Sequence, residues 1–306
     1  MTIEAQQIGS PQGPAGPAAP QRLRKRTPAT QLVERPHWWT YVILTVFVVG
    51  SAFPLYWSFV IGSRTAGAAQ SKIPVLTPGP NFGSNVQRVF DTIPFWSSFW
   101  NSLMVSTIVT VSVVFFSTLA GYAFAKLQFR GQNAMFGFII LTLAVPPQLG
   151  AVGLYRLMAT WGMIGSIESI ILPGLVSAFG VFFMRQYLSS VVPTELLEAA
   201  RVDGAGQFRT FLTVAIPAAR PAMAVLALFT FITTWTDFFW PFLALRDPKV
   251  QTLPTALNQL LASAGNNPDW SVVLTGSLLS IIPLLILFVI AGRQLVSGIM
   301  SGALKS

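Results

Sequence analysis

The chain has no cysteine and one histidine, His37. Without cysteine there is no disulfide, no thiolate nucleophile and no Cys-ligated metal. With one histidine there is no multi-His metal site, and a Ser-His-Asp triad inside a membrane has nothing to draw on. Charge is scarce as well. Only 9% of the 306 residues are charged, against about 25% in a soluble domain, which argues against a water-soluble globular enzyme. None of the five lysines follows a glycine, so the chain holds no Gly-Lys-Ser/Thr phosphate loop. These gaps remove most catalytic chemistry, and the expectation is a protein that is not an enzyme.

What the chain has is apolar length. Hydrophobic residues make up 53% of it, and the mean hydropathy is +0.62. That composition is wrong for disorder and right for a polytopic membrane protein. Six apolar stretches stand out, near 39–61, 99–124, 134–155, 167–188, 222–245 and 272–291. A stretch of roughly 20 residues crosses about 30 Å of hydrocarbon at about 1.5 Å per residue. Lipid cannot satisfy backbone groups, so each stretch is expected to be a helix. Four of the six contain no acidic or basic residue; the fourth has Glu168 and Arg185, and the fifth has Asp237. The fold class is therefore all-α, a six-helix membrane protein, with no convincing internal repeat.

Residues 1–36 stand apart. They carry six prolines and the basic run Arg22, Arg24, Lys25 and Arg26, with no apolar run close behind, and read as a disordered basic cytoplasmic tail ahead of a transmembrane domain at 37–306. With the N-terminus inside, inner segments hold 13 Lys and Arg and outer segments hold 6. The positive-inside rule then puts both termini in the cytoplasm of a multi-pass protein. The net charge of +9 thus reads as an anchor beside membrane lipid, and no nucleic-acid partner is expected. Trp38, Trp39, Trp96, Trp100 and Trp270 sit at span borders, where aromatic belts form. Pro146-Pro147, Pro173 and Pro283 are expected to kink their helices.

One connector does not look simple. Residues 189–221 read SSVVPTELLEAARVDGAGQFRTFLTVAIPAARP on the expected cytoplasmic side. Thr194 is a good N-cap, and Glu195 and Glu198 suit the positive end of a helix dipole. Leu196 through Val202 continue the helix, Gly204 stops it, and a second helical stretch at 207–215 runs to Pro217. A short rigid helix with small residues and fixed acids can serve as a docking point for a partner. The plainer alternative is an amphipathic helix lying at the interface.

Glu198-Ala199-Ala200, Asp203-Gly204-Ala205 and Ile216-Pro217 resemble the EAA loop of ABC importer permeases. Trp100 to Leu103, Leu119 to Lys126, Thr234 to Pro241 and Gly302 to Lys305 resemble the maltose-type carbohydrate permeases, and more narrowly the MalG-type subunit. The likeness covers roughly 40–306. It implies the type I importer permease fold, with 189–221 as the cytoplasmic coupling loop. Glu195, Glu198, Ala199, Ala200, Asp203, Gly204, Ala205 and Pro217 are the expected contacts with an ATPase. It also implies a MalF-like sister permease, a pair of ATPase subunits holding ATP and Mg, and an extracytoplasmic sugar-binding protein. No cofactor is expected on this chain. The location implied is the bacterial cytoplasmic membrane, and the cargo a di- or oligosaccharide, cellobiose-like as first choice.

Asp237 is the ionisable residue deepest in a span. A charge at mid-bilayer costs about 2.5–3.5 kcal/mol, so it should meet a cavity or a partner. Sugars suit aromatic faces and acceptor oxygens, so Asn101, Trp235, Asp237 and Trp240 are the candidate substrate contacts. The alternatives are a capping or interface role for Asp237, a structural role for Asn101 and belt positions for the tryptophans. Competing functions are an ion-coupled secondary transporter, which would need midplane carboxylates and repeated halves, and an ABC permease for a non-sugar solute.

Overall fold

A computed structural model describes residues 37–71, 73–262 and 267–303, with side chains as far as Ile290. The tail expected at 1–36 and the terminal Leu304-Lys305 lie outside the described residues. Among these residues every regular element is a helix. Five helices are long and apolar enough to cross a membrane, and a sixth crossing exists if one sharply bent pair is taken as a single span. The chain divides between Val49 and Gly50. The described part of the first unit is the opening half of α1 (Trp38–Gly62), whose side chains are largely exposed.

In the second unit, the end of α1 is followed by a short outer helix, α2 (Phe82–Thr92), and then by α3 (Phe95–Lys126). α3 has 32 residues, about 48 Å at about 1.5 Å each, and starts a turn earlier than its apolar stretch suggested. Its buried face runs Ser98, Ser102, Val105, Val109, Val113, Ser117, Gly121. That 3–4 spacing of small and β-branched residues lets neighbouring backbones approach closely. A β-carbon placed on Gly121 would lie 2.8 Å from the Arg185 nitrogen. One on Gly180 would run into Ser117 Oγ. Arg185 lies over the Phe136 ring at 4.6 Å and donates to Gln186 Oε1.

The expected third span is broken. α4 (Gln132–Leu143) and the helical run from Pro147 into α5 (Ala151–Thr160) meet at 95°. Pro146-Pro147 removes two amide donors in succession, which explains a break stronger than a kink. The fourth span is α6 (Glu168–Gly174) and α7 (Ala178–Val191), interrupted at 175–177 just after Pro173. α8 (Thr194–Val202) follows. The fifth span differs most from expectation. The helical stretch expected at 207–215 is present and is continuous with the span expected from 222, running through α9 (Gln207–Thr210), a π-helical turn at Phe211–Ala215 and α10 (Ile216–Trp235). Pro217 does not end it: the wide turn ahead leaves room for a ring that lacks the amide proton. The helix stops at Trp235, so Asp237 lies in an interruption before α11 (Phe239–Ala244), not within a continuous span. α12 (Leu253–Ala262) and α13 (Trp270–Ala303) complete the order.

Two apolar cores hold these helices. The larger joins α3, α7, α8 and α10 through Val105, Met184, Leu188, Leu197, Phe211 and Leu226. The second joins α2, α3, α10, α12 and α13 through Val89, Phe95, Trp235, Leu253 and Val272. Beside it, Asn85 Nδ2 donates to the carbonyls of Gly62 and Arg64. Arg88 donates to Asn85 Oδ1 and pairs with Asp269 at 2.6 Å.

Candidate functional site

The loop expected to couple to a partner forms a compact, capped helix. Pro193 occupies the N-cap position in extended conformation, and Thr194 is the first helical residue, so the helix starts one residue earlier than expected. Glu195 lies in the first turn; Glu198 falls in the second, so only the former sits at the positive end of the dipole. The end of α8 is a Schellman turn: Gly204 N donates to Arg201 O and Ala205 N to Ala200 O. Gly204 takes φ +76°, a conformation that costs other residues about 1–2 kcal/mol.

α8 is amphipathic in an unusual sense. Leu197 is buried in the larger core, while Leu196 and Val202 are exposed, Val202 at 88%. Glu195, Glu198, Ala199 and Asp203 are exposed, and Ala200 and Ala205 are half-buried. Phe208, at the start of the next helix, is also exposed. The outward face is thus a mixture of acids, small residues and unburied apolar side chains. Lys126 Nζ donates to the Ser189 carbonyl, so α3 and α7 end together beside α8. Pro217 belongs to the helix that continues from this face rather than to the face itself.

A second site lies about 25 Å along α3 from that end, reckoned from Lys126 to Val109 at about 1.5 Å per residue. Two cavities of about 440 Å³ each share Val109, Gly174, Thr233 and Thr234 and form one groove. Its walls come from all three interruptions in the apolar helices. Pro147 borders the first; Val176 and Ser177 lie in the second, with Pro173 just ahead of it; Asp237 lies in the third, flanked by Thr234 and Trp240. Irregular backbone at membrane depth is tolerated where it is enclosed by protein or lines a cavity, and discontinuous helices commonly build transport sites.

The structure brings together only part of the expected substrate set. Asp237 and Trp240 line the groove. Asp237 Oδ1 accepts from the Phe239 amide at 3.1 Å, so the carboxylate also caps α11. Trp240 Nε1 donates to the Ser169 carbonyl at 3.0 Å, fixing its ring. Trp235 is elsewhere: it is 2% exposed in the second core and donates to the Ser280 carbonyl. Asn101 is also elsewhere, with its amide donating to the Gln251 carbonyl, which ties α3 to the segment before α12. The groove contains polar residues that the sequence analysis passed over, Thr230, Thr233, Thr234 and Ser177. A signal was present. Thr230, Thr233, Thr234 and Asp237 follow the i, i+3, i+4, i+7 spacing of a single helical face.

Broken apolar helices around a polar groove, and a capped helix outside the spans, define a membrane transport permease. The chain belongs to the family described as "Binding-protein-dependent transport system inner membrane component", whose model matches residues 114–298. It is 34% identical to the arabinooligosaccharides transport system permease protein AraQ of Halalkalibacterium halodurans over 69% of this chain and 75% of that protein. It is 30% identical to the sn-glycerol-3-phosphate transport system permease protein UgpE of Yersinia enterocolitica, over 85% of this chain and 94% of that one. Among solved structures, a bacterial ABC transporter for import of the acidic polysaccharide alginate matches with TM-score 0.71 and 24% identity, over 83% of this chain and 94% of that chain. At that identity the likeness speaks for the fold. The protein is therefore a multi-pass ABC importer permease and not an enzyme, and the ion-coupled alternative falls away.

Proposed function

We propose that the chain is the MalG-type half of an importer that carries a di- or oligosaccharide across the bacterial cytoplasmic membrane. A MalF-like sister permease completes the path, an extracytoplasmic binding protein delivers the sugar, and two ATPase subunits hold ATP and Mg. Both termini face the cytoplasm in this reading. The observation that carries it is α8, which turns acids, small residues and unburied apolar side chains outward while Leu197 anchors it in the core of α3, α7 and α10. A partner that moves α8 moves those three helices, and with them the walls of the groove. Glu195, Glu198, Ala199, Ala200, Asp203, Gly204 and Ala205 make the contact; Pro217 marks the helix that receives the motion.

The cargo follows from the groove and from the relatives. Trp240 offers a ring beside acceptor oxygens on Asp237 and the threonines, which suits the C–H faces and hydroxyls of a sugar. AraQ is named for arabinooligosaccharides. A cellobiose-like β-linked disaccharide is the first sugar to try.

The test exploits the absence of native cysteine. Ala200→Cys in membranes from cells accumulating sugar is expected to cross-link to a nucleotide-hydrolysing subunit, and ATP is expected to change the yield. If only lipid or the sister permease is captured during active uptake, the coupling role assigned to α8 is wrong.

A further inference from the structure

We infer that the groove selects neutral, hydroxyl-rich solutes and excludes anions, with Asp237 and Thr233 as the specificity-determining residues. The inference rests on the groove being part of the substrate path and goes further by fixing the charge of what passes. The lining residues include one carboxylate, Asp237, and neither Lys, Arg nor His.

Ser177, Thr230 and Thr234 hydroxyls can serve a solute either way, but the groups around Asp237 favour donors. Thr233 Oγ1 lies 3.0 Å from the carbonyls of both Phe229 and Thr230, so its proton is committed to its own helix while its lone pairs remain. Trp240 Nε1–H is spent on Ser169. Asp237 supplies acceptor oxygens, one of them receiving the Phe239 amide. A solute that brings donors finds partners at these positions. A phosphate or uronate brings acceptors and negative charge, and would face Asp237 with both sets of lone pairs unpaired. Sugar hydroxyls can donate to Asp237 and Thr233 while a C–H face lies on Trp240.

The measurement is equilibrium binding to the purified complete transporter without its binding protein, so that the permease alone discriminates. The probes are cellobiose and digalacturonate, a neutral and an anionic disaccharide. The unmodified transporter is expected to prefer cellobiose by about tenfold. Asp237→Asn keeps an acceptor for the Phe239 amide and is expected to narrow that ratio severalfold by strengthening digalacturonate binding. Thr233→Lys, which leaves Asp237 and the α11 cap in place, should narrow it also. Equal or stronger digalacturonate binding by the unmodified transporter overturns the inference. So does a ratio that neither substitution moves. Thr233→Trp separates the underlying reading: it should plug the groove and abolish uptake in cells, and full uptake by that variant means the groove is not on the path.

Discussion

Around α8 the helices α3, α7 and α10 pack tightly on one another through a shared apolar core, and glycine appears where α3 and α7 approach most closely. Around the groove, three helices stop within sight of one another and threonine, proline and a carboxylate take the place of close packing. Under the proposed function, the contrast lets one bundle serve two needs. A region that transmits a push must resist bending, and small residues at α3 and α7 supply that by bringing rigid backbones together. A region that handles a polar solute must offer uncommitted polar groups, and in lipid these come from broken helices and from side chains that face a cavity.

The largest expected effect attacks the rigid region. A β-carbon on Gly180 would press on Ser117 Oγ, and overpacking of this kind costs about 1–3 kcal/mol or more. Gly180→Leu is expected to abolish the monodisperse peak in size-exclusion chromatography. Gly180→Ala should be milder, and adding Ser117→Gly should restore it. A normal elution profile for Gly180→Leu would break the comparison at its base.

Next comes Gly204. No atom lies within 4 Å of a β-carbon there, so the damage is to the left-handed turn alone, about 1–2 kcal/mol. Gly204→Val is expected to leave protein levels normal while lowering uptake by about tenfold and weakening the ATPase response to loaded binding protein. Gly204→Asn, which tolerates the turn better, should retain more of both.

Trp240→Phe sharpens the contrast from the other side. It keeps a ring but loses the bond to Ser169, worth about 1 kcal/mol. KM for sugar uptake should rise severalfold while ATPase stimulation at saturating sugar is unchanged. Failure of coupling in this variant would erase the division of labour.

The smallest effect concerns the clamp between α2 and α13, which belongs to neither region. Burial pushes the Asp269 carboxyl up, but the Ser271 and Arg88 hydrogen bonds and the Arg88 charge outweigh it, so its folded pKa is depressed. The stabilisation is present above the unfolded value, about 3.9, and is lost as pH falls through the lower folded value. Arg88 is half exposed, so solvent screening keeps the pair to less than about 1 kcal/mol. Asp269→Asn should lower Tm in detergent slightly at pH 7, and the gap to wild type should close below about pH 4.

Uninterrupted apolar helices were legible in the sequence. α1, α3 and α13 follow from runs without charge, and α8 from its proline, acids and glycine. Interruptions were legible only where proline marks them. Pro146-Pro147 signalled a bend but not 95°, because the angle depends on what the two arms pack against. Between Trp235 and Phe239 no proline or glycine warns of a break, and the cap from Asp237 that stabilises it is visible only in three dimensions. Trp235 and Trp240 look alike in sequence yet part company across that break, one into a core and one into the groove. The helix at 207–215 was legible, but its continuation into the span was hidden by Pro217, Arg220 and Pro221, which read as a loop until the π turn is seen to accommodate the first proline.

That π turn at Phe211–Ala215 sits on the one helix that joins the neighbourhood of α8 to the threonine face. An i→i+5 turn carries a surplus residue relative to the α-helix, and removing a single residue there would restore α-helical winding. Everything downstream would swing by about 100° about the helix axis, the angle one residue subtends at about 3.6 per turn. Thr230, Thr233 and Thr234 would then point away from the groove while Trp235 was driven out of its core. The bulge therefore acts as a vernier, setting the azimuth of the polar face independently of where the helix begins.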